Sequence, residues 1–540
     1  MRLVILVYLL LIGTLLSAQN NFVKQWGHSY GGTMGDAVSV VLPLQDKGYL
    51  LCGYTYSPAD GDLNQPNWDG SLITCDYWII KVDNNGNKLW ERRYGGTGDD
   101  GLLDAIETND QGFVLAGGAY SGQNGDKTDP IRGMSDYWIV KIDSSGNMLW
   151  NKGFGGIGMD MLPSIGLTND GGFMLMGRSD SPVSGDKTAA NHGSIDYWII
   201  RTDSLGNKLW DKAYGASGFD AIFSSAVTRD GGCILGGRSS SPANGDKSED
   251  SFNGGVDYWA IKIDSLGNKQ WDRTFGGTAT DDLLYTRQTY DNGYILAGTS
   301  ISDMSGNKSS AKRGYWLVKT DSAGNKLWDK AYGDEYFDGK LYGFSLTSDG
   351  GYLMSGSTTN GVGGDKTESN LGEYQGWIVK IDSLGNREWD KTIFSNGYNF
   401  TRACIEAENG CFIVGAGFSK GEGGYIDQSN WDTTESSGDI WLAKFCMEPV
   451  GVKEFTNSVN VTVYPNPFAS ELSISVQKLG LGNAMFTILG TSGELVYQSN
   501  ETNLADSYTK ILDMSKLSAG LYYIIVEANG YKVTKQVVKE

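Results

Sequence analysis

The sequence predicts an all-β protein: a seven-bladed β-propeller with four strands per blade, followed by a small Ig-like β-sandwich. Three recurring signatures predict the propeller. Asp-Tyr-Trp-Ile-Ile-Lys-Val-Asp at 76–83 returns around Trp138, Trp198, Trp259, Trp316, Trp377 and Trp441, at steps of 60, 60, 61, 57, 61 and 64 residues. Gly-Asn-Lys-Leu-Trp, then Tyr-Gly-Gly, at 86–96 carries a second series: Trp26, Trp90, Trp150, Trp210, Trp271, Trp328 and Trp389. An apolar run ending in Gly occurs seven times, from 48–53 to 410–415. Such a period marks supersecondary units that bury both faces only by stacking on their neighbours.

Each unit reads as four strands. Strand A, 37–44 in the first unit, ends at an Asp/Asn-Gly-type turn. Strand B, 48–53, is apolar on both faces and is expected between two neighbours. Strand C, 76–81, is nearly continuous in the same way. The short turn 83–87 leads to strand D, 88–94, which alternates apolar residues with Arg, Lys and Glu as an outer edge strand should. Four such strands per unit describe a propeller blade. The chain opens with a lone D-type strand, 22–26, and its seventh unit supplies only A, B and C at 401–407, 410–415 and 439–445. The first strand is therefore expected to complete blade seven, a 3+1 closure. The Asp-x-x-Gly-Asn-x-x-Trp turn is similar to the tryptophan-docking motif of quinoprotein propellers and loosely to the Asp-box of sialidase-like propellers, with a spacing that departs from both.

Composition bounds the partners. Lys and Arg number 44 against 64 Asp and Glu, a net charge of −20. A surface so acidic repels phosphate, so duplex nucleic acid and anionic lipid are poor partners, and no nucleic-acid partner is expected. Residues 1–18 read as a secretory signal peptide: Arg2, an apolar run from Leu3 to Leu16, then Ser17-Ala18. That run is shorter than the ~20 residues of a membrane span, and no transmembrane segment is expected elsewhere. The expected domains are the signal peptide (1–18), the propeller (19–446), a linker (447–459) and the sandwich (460–540). The chain is expected to act as a monomer.

From 460 onward no Trp occurs, and seven short β-patterned runs follow, separated by Pro465-Asn466-Pro467, Ser492-Gly493 and Asn529-Gly530. Tyr464-Pro465-Asn466-Pro467-Phe468, the turn 489–493 with Gly493, Leu517-Ser518-Ala519-Gly520-Leu521-Tyr522 and the final strand together resemble the type A C-terminal sorting domain of the bacterial type IX secretion system. The resemblance implies export across the outer membrane, the secretion machinery as a partner, and a secreted or cell-surface address. It also implies removal of the tail in many members, and the linker is where that cut would fall.

Candidate sites sit on the loops. An acid stands six positions after each strand-D aromatic: Asp36, Asp100, Asp160, Asp220, Asp281 and Asp338, with Phe400 in the seventh place. These six are weak candidates for a cation site around the axis; the alternative is that each caps its own loop. Nine residues after the strand-B Gly lies Asp62, Asp126, Asp186, Asp246, Asn307 or Asp365, oxygen ligands that would suit Ca²⁺. No other cofactor is expected. Two tryptophans fall outside the repeat: Trp68 beside Asp69, and Trp431 beside Asp432, in the B–C loops of blades one and seven. Ring closure makes those blades neighbours, and exposed aromatics beside carboxylates suit a sugar ring or a protein partner. Cys52 and Cys75 are expected to form a disulfide across the Trp68 loop, while the pairing of Cys404, Cys411 and Cys446 is left open and Cys233 is expected as a buried thiol. His28 and His192 read as loop residues, and no catalytic residues are assigned. The function expected is therefore binding or adhesion at the cell surface, through a propeller face offered to a glycan or a protein. The alternative is an extracellular polysaccharide hydrolase or lyase using face carboxylates.

Overall fold

The computed structural model describes residues 21–70, 72–337, 339–419, 423–431, 438–448, 460–477, 482–491, 493–505, 507–528 and 531–540. The expected signal peptide lies outside the described residues, as do linker residues 449–459. The chain divides into two compact units, Asn21–Glu448 and a second that contains the C-terminal sandwich.

The first unit holds seven four-stranded antiparallel sheets. Blade one is typical: A is Asp36–Pro43, B is Tyr49–Thr55, C is Asp76–Val82 and D is Lys88–Tyr94. The next five repeat it over 100–154, 160–214, 220–275, 281–334 and 340–393. The last sheet is Asn399–Glu406, Cys411–Phe418 and Asp439–Glu448, and its fourth strand is Asn21–Tyr30 from the other end of the propeller unit. The pairing runs antiparallel from Asn21 opposite Glu448 to Tyr30 opposite Ile440. Strand A of each blade packs on the sheet of the blade before it, and blade one packs on blade seven.

Burial follows the strand roles. In blade one every residue of strand B is buried except Tyr54, and strand C is buried except Lys81, because both lie between neighbouring sheets. The seven strand-C tryptophans are at most 1% exposed. In six blades the strand-C indole N–H donates to the side chain that follows the strand-D tryptophan, for example Trp198 to Asp211 at 3.0 Å and Trp377 to Asp390 at 3.0 Å. The residue before it reaches the next blade. Tyr77, Tyr137, Tyr197, Tyr258 and Tyr315 each donate a hydroxyl to the carbonyl of the following blade's tryptophan at 3.0–3.2 Å. These rings also pack 4.7–5.0 Å apart.

The strand-D tryptophans pack outside this core. Trp90 lies against Gly146 of blade two and Trp150 against Gly206 of blade three, where φ is +79° and +75° and a Cβ would come within 3.1 Å of the indole. Glycine is required there by both the left-handed backbone and the close approach. Trp26, on the first strand, meets Gly86 of blade one in the same way. That strand thus docks on blade one as each D strand docks on its successor.

The second unit is a two-sheet sandwich of seven strands. One sheet orders Asn460–Tyr464, Glu471–Gln477 and Ser507–Asp513; the other orders Leu495–Leu504, Gly482–Gly490, Gly520–Ala528 and Tyr531–Lys539. Their facing side chains, among them Phe468, Ile474, Phe486, Ile488 and Ile524, form one core.

The cysteines differ from expectation. Cys52 and Cys75 are both free and buried, and the disulfide joins Cys411 to Cys446. Register explains the difference. Cys52 sits opposite Ile79, and the B–C ladder ends at Thr55 opposite Asp76. Cys75 is four residues along the strand from Ile79, roughly 13 Å at the strand rise, whereas a disulfide needs Cα atoms within about 7 Å. Cys411 and Cys446 are direct cross-strand partners. Cys233 and Cys404 are buried thiols.

Candidate functional site: the axial cavity and its mouth

Strand A is the innermost strand of each blade, and every A–B ladder carries one register shift, between Val38 and Val40 in blade one and Leu341 and Gly343 in blade six. A bulge adds a residue and re-aims a side chain. Here Ser39, Leu103, Phe223, Leu284, Tyr342 and Arg402 fall within these shifts and line an axial cavity of about 680 Å³. Its wall also takes Thr280, Ile301 and Phe337 from D–A and B–C segments, so the cavity reaches the end of the propeller that carries those loops. The repeat hid this site. The bulged position holds Ser, Leu, Pro, Phe, Tyr or Arg, and without the register nothing marks it as inward-facing.

The lining is uneven around the ring. On the side of blades six and seven, Tyr342, Tyr374, Tyr398 and Phe400 border an adjoining cleft with Lys340. Tyr398 and Phe400 stack at 6.3 Å with 9° between planes, Tyr374 and Phe400 at 6.1 Å, and Tyr342 meets Phe400 edge-on at 6.0 Å. Tyr398 is 38% exposed and donates its hydroxyl to Glu373 at 2.7 Å. The Arg402 guanidinium lies 5.0 Å over the Tyr342 ring. On the opposite side Phe223 is flanked by Arg178 and Arg238, each 5.1 Å from its centroid.

The charged lining residues are Asp104, Asp282, Arg287, Lys340 and Arg402. Asp282 pairs with Arg238 at 3.0 Å. Asp104 accepts the backbone N–H of Ala105 at 2.9 Å and of Ile165 at 3.0 Å; burial raises its pKa, against these bonds and the nearby Arg287 charge.

The six axis-mouth candidates prove to be loop caps where the structure describes them. Asp36, Asp100, Asp160, Asp220 and Asp281 are 0–5% exposed. Each accepts a backbone N–H from its own D–A loop at 2.7–2.8 Å and a serine hydroxyl from the B–C loop at 2.7–3.1 Å. They point into the blade; in blade five it is the next residue, Asp282, that alternates toward the cavity. Asp338 lies outside the described residues. In blade seven the capping position is held by buried Asn399, paired with Phe418 as Asp36 is with Thr55, while Phe400 turns to the mouth.

The second set of loop oxygens is equally engaged. Asp62, Asp126, Asp186, Asp246, Asn307 and Asp365 each accept the N–H of the glycine that follows the last aromatic of strand D, at 2.8–3.3 Å. Among the described residues no group of three or more His, Cys, Asp or Glu side chains could hold a metal, so the Ca²⁺ expectation finds no cluster there.

Trp68 and Trp431 occupy one repeat position. Each backbone N–H approaches the first aspartate of its own strand C, as those of Arg132, His192 and Phe252 do: Trp431 to Asp439 at 2.8 Å, Arg132 to Asp136 at 3.0 Å. The side chain then reaches the next blade. Trp68 Nε1 donates to Asp126 at 3.1 Å, Arg132 pairs with Asp186 at 2.7 Å and His192 with Asp246 at 3.3 Å. The two tryptophans are thus equivalent points on adjacent blades, 49% and 47% exposed, each tied to its own loop. Asp69 is part-exposed and its N–H donates to Asn67; Asp432 lies outside the described residues. His28 belongs to the first strand, with Nε2 3.1 Å from the Asn85 carbonyl.

In the C-terminal unit the sorting motif is stitched to the last strand. Asn466 donates to Gln536 O at 3.1 Å and accepts from Val538 N at 2.9 Å. Buried Phe468 exchanges backbone bonds with Val538 and Glu540. Tyr464 is half-exposed, and Pro465 and Pro467 both follow cis peptide bonds. Gly493 turns back to Gly490 at φ +83°, and Gly520 opens its strand.

Comparison with known proteins matches residues 462–540 to the secretion system C-terminal sorting domain. A 170-residue stretch is 28% identical to the regulatory protein FlaEY of Caulobacter vibrioides, covering 29% of this chain and 18% of that protein. Among solved structures, a DUF4221 member from Bacteroides vulgatus aligns at 8% identity over 79% of this chain and 98% of its own, TM-score 0.33. An exo-β-1,3-galactanase from Phanerochaete chrysosporium aligns at 12% identity over 74% and 99%, TM-score 0.28. No helix among the described residues is long and apolar enough to cross a membrane. Residues 462–540 belong to the C-terminal sorting domains of the type IX secretion system, and they mark this propeller-type all-β chain for export to the cell surface or beyond.

Proposed function

We propose that the protein is an exported binding protein that takes a glycan at the mouth of its axial cavity. One observation carries the reading: the stacked Tyr374, Phe400 and Tyr398 wall, open beside a cavity of about 680 Å³. Aromatic faces joined to an amphipathic hydroxyl suit the apolar face and hydroxyl rim of a sugar. Trp68 and Trp431, on neighbouring blades, would extend the contact for a longer chain. Hydrolysis requires two carboxylates free to act as acid and base. Asp104 and Asp282, which line the cavity, are bound to backbone amides and to Arg238, so binding is the reading we favour over turnover.

A glycan array probed with the full chain tests this. Binding is expected, weakened three- to tenfold by Tyr398→Ala or Phe400→Ala, about 0.5–1.5 kcal/mol for a lost ring contact. Trp68→Ala is expected to weaken long glycans only. Binding that ignores both wall substitutions would contradict the reading, as would an array with no binder.

A further inference from the structure

We propose that the axial site selects an anionic saccharide, with Arg402 and Arg287 receiving its carboxylate or sulfate while the Tyr342–Phe400–Tyr398 wall holds the ring. This rests on the glycan reading above and adds the charge of the ligand.

The argument is one of unbalanced charge. In a chain of net charge −20 the cavity is lined by Arg287, Lys340 and Arg402 against two carboxylates: Asp282 is paired with Arg238, and Asp104, held by the Ala105 and Ile165 amides, is the one near Arg287. Among the described residues Arg402 and Lys340 make no hydrogen bond or ion pair with any side chain or carbonyl; the Arg402 guanidinium stands 5.0 Å over the Tyr342 ring and near Tyr285. Arg287 donates to Thr286 O at 2.9 Å and to Ser224 Oγ at 3.4 Å, both neutral acceptors. Arg402 and Arg287 line both the upper and the lower stretch of the axial cavity, so both are reached from it. Elsewhere in the propeller Lys141 pairs with Asp110, Lys319 with Asp291 and Lys380 with Asp349, each at 2.8–2.9 Å, while buried Lys127, Lys187 and Lys308 donate to backbone carbonyls at 2.6–3.0 Å. A half-buried guanidinium with no paired carboxylate, such as that of Arg402, is costly unless an anion arrives. A planar guanidinium meets a carboxylate or sulfate with parallel hydrogen bonds. Tyr342 links the two halves of the site, because it borders the cavity below Arg402 and the aromatic cleft beside Phe400. The acidic exterior also disfavours indiscriminate polyanion binding, so an anion held here is held by the cavity.

Calorimetric titration of the full chain with matched trimers tests the proposal: galactose against galacturonate, glucose against glucuronate, and galactose against its 6-sulfate. At least one anionic trimer is expected to bind tenfold or more tightly than its neutral partner, and which one separates carboxylate from sulfate recognition. Arg402→Gln and Arg287→Gln are each expected to bring the pair within threefold, with Arg402→Lys retaining part of the preference. If a variant fails to fold, the paired comparison on the native chain stands alone. Equal affinity within every pair overturns the charge assignment and leaves the glycan reading standing. Binding of an acidic hexapeptide with no binding of any trimer overturns both.

Discussion

In five of the seven blades a tyrosine hydroxyl reaches the next blade. Tyr137 donates to Trp198 O at 3.0 Å while its ring packs on that indole at 4.8 Å. Tyr137→Phe keeps the ring and is expected to cost about 0.5–1.5 kcal/mol in urea unfolding, the net value of one hydrogen bond. The capping aspartates weigh more. Asp100→Ala leaves the Gly96 N–H and the Ser121 hydroxyl unpaired in a buried loop and is expected to cost about 1–3 kcal/mol. Burial also gives these groups a pH signature. It pushes Asp36, Asp76 and Asp257 up to about 7 and Asp100 up to about 6. A carboxyl raised above its unfolded value of about 3.9 holds its proton in the folded state, so its stability is present at low pH and lost as pH rises from about 4 to 7. Burial works the same way on Asp110, Asp291 and Asp349, but bonds from threonines and from Lys141, Lys319 and Lys380 outweigh it and bring them to about 2. Their contribution is present above about pH 4 and lost toward 2. The melting temperature is therefore expected to peak at mildly acidic pH and to fall toward pH 8. Asp257→Asn, which keeps an acceptor for the Phe252 N–H, should flatten the fall; a melting temperature that climbs steadily to pH 8 would show the buried carboxyls to be ionised.

At the scale of the element, the strands were legible and their register was not. The repeated Trp and Gly positions locate B, C and D in every blade, because strands buried on both faces must be apolar throughout. The disulfide depends on which residue opposes which. Cys52 lies on strand B and Cys75 just before strand C, and the ladder that ends at Thr55–Asp76 keeps them apart, whereas the blade-seven ladder sets Cys411 opposite Cys446. Thiol titration in denaturant is expected to count four free thiols. Cys411→Ser should lower the unfolding free energy by roughly 3–4 kcal/mol in the chain-entropy model, and Cys52→Ser, buried but unbridged, by less. The bulges of strand A were equally invisible, since a shift of one residue turns the side chain to the other face. Arg402 and Tyr342 are therefore unmarked in the sequence, whereas Trp68 and Trp431 break the repeat openly.

For the whole molecule, the export address was readable from the tail alone, because its motif residues bind one another locally: Asn466 to the last strand, Phe468 into the core. Loss of 460–540 is expected to leave the protein undelivered at the cell surface. The pairing of Asn21–Tyr30 with Asp439–Glu448 closes the sheet cycle. Deleting 21–30 should expose a long apolar edge and yield aggregates, and re-attaching that strand after Glu448 should restore a soluble fold. The ring brings together strand-A residues from all seven blades, and only there do Arg287, Tyr342 and Arg402 become one site. Hydrogen exchange of the full chain with and without its strongest array glycan tests that claim most directly. Protection is expected in 340–343, 372–375 and 398–402; protection confined to the outer D strands or to 460–540, with the axial segments unchanged, would contradict it.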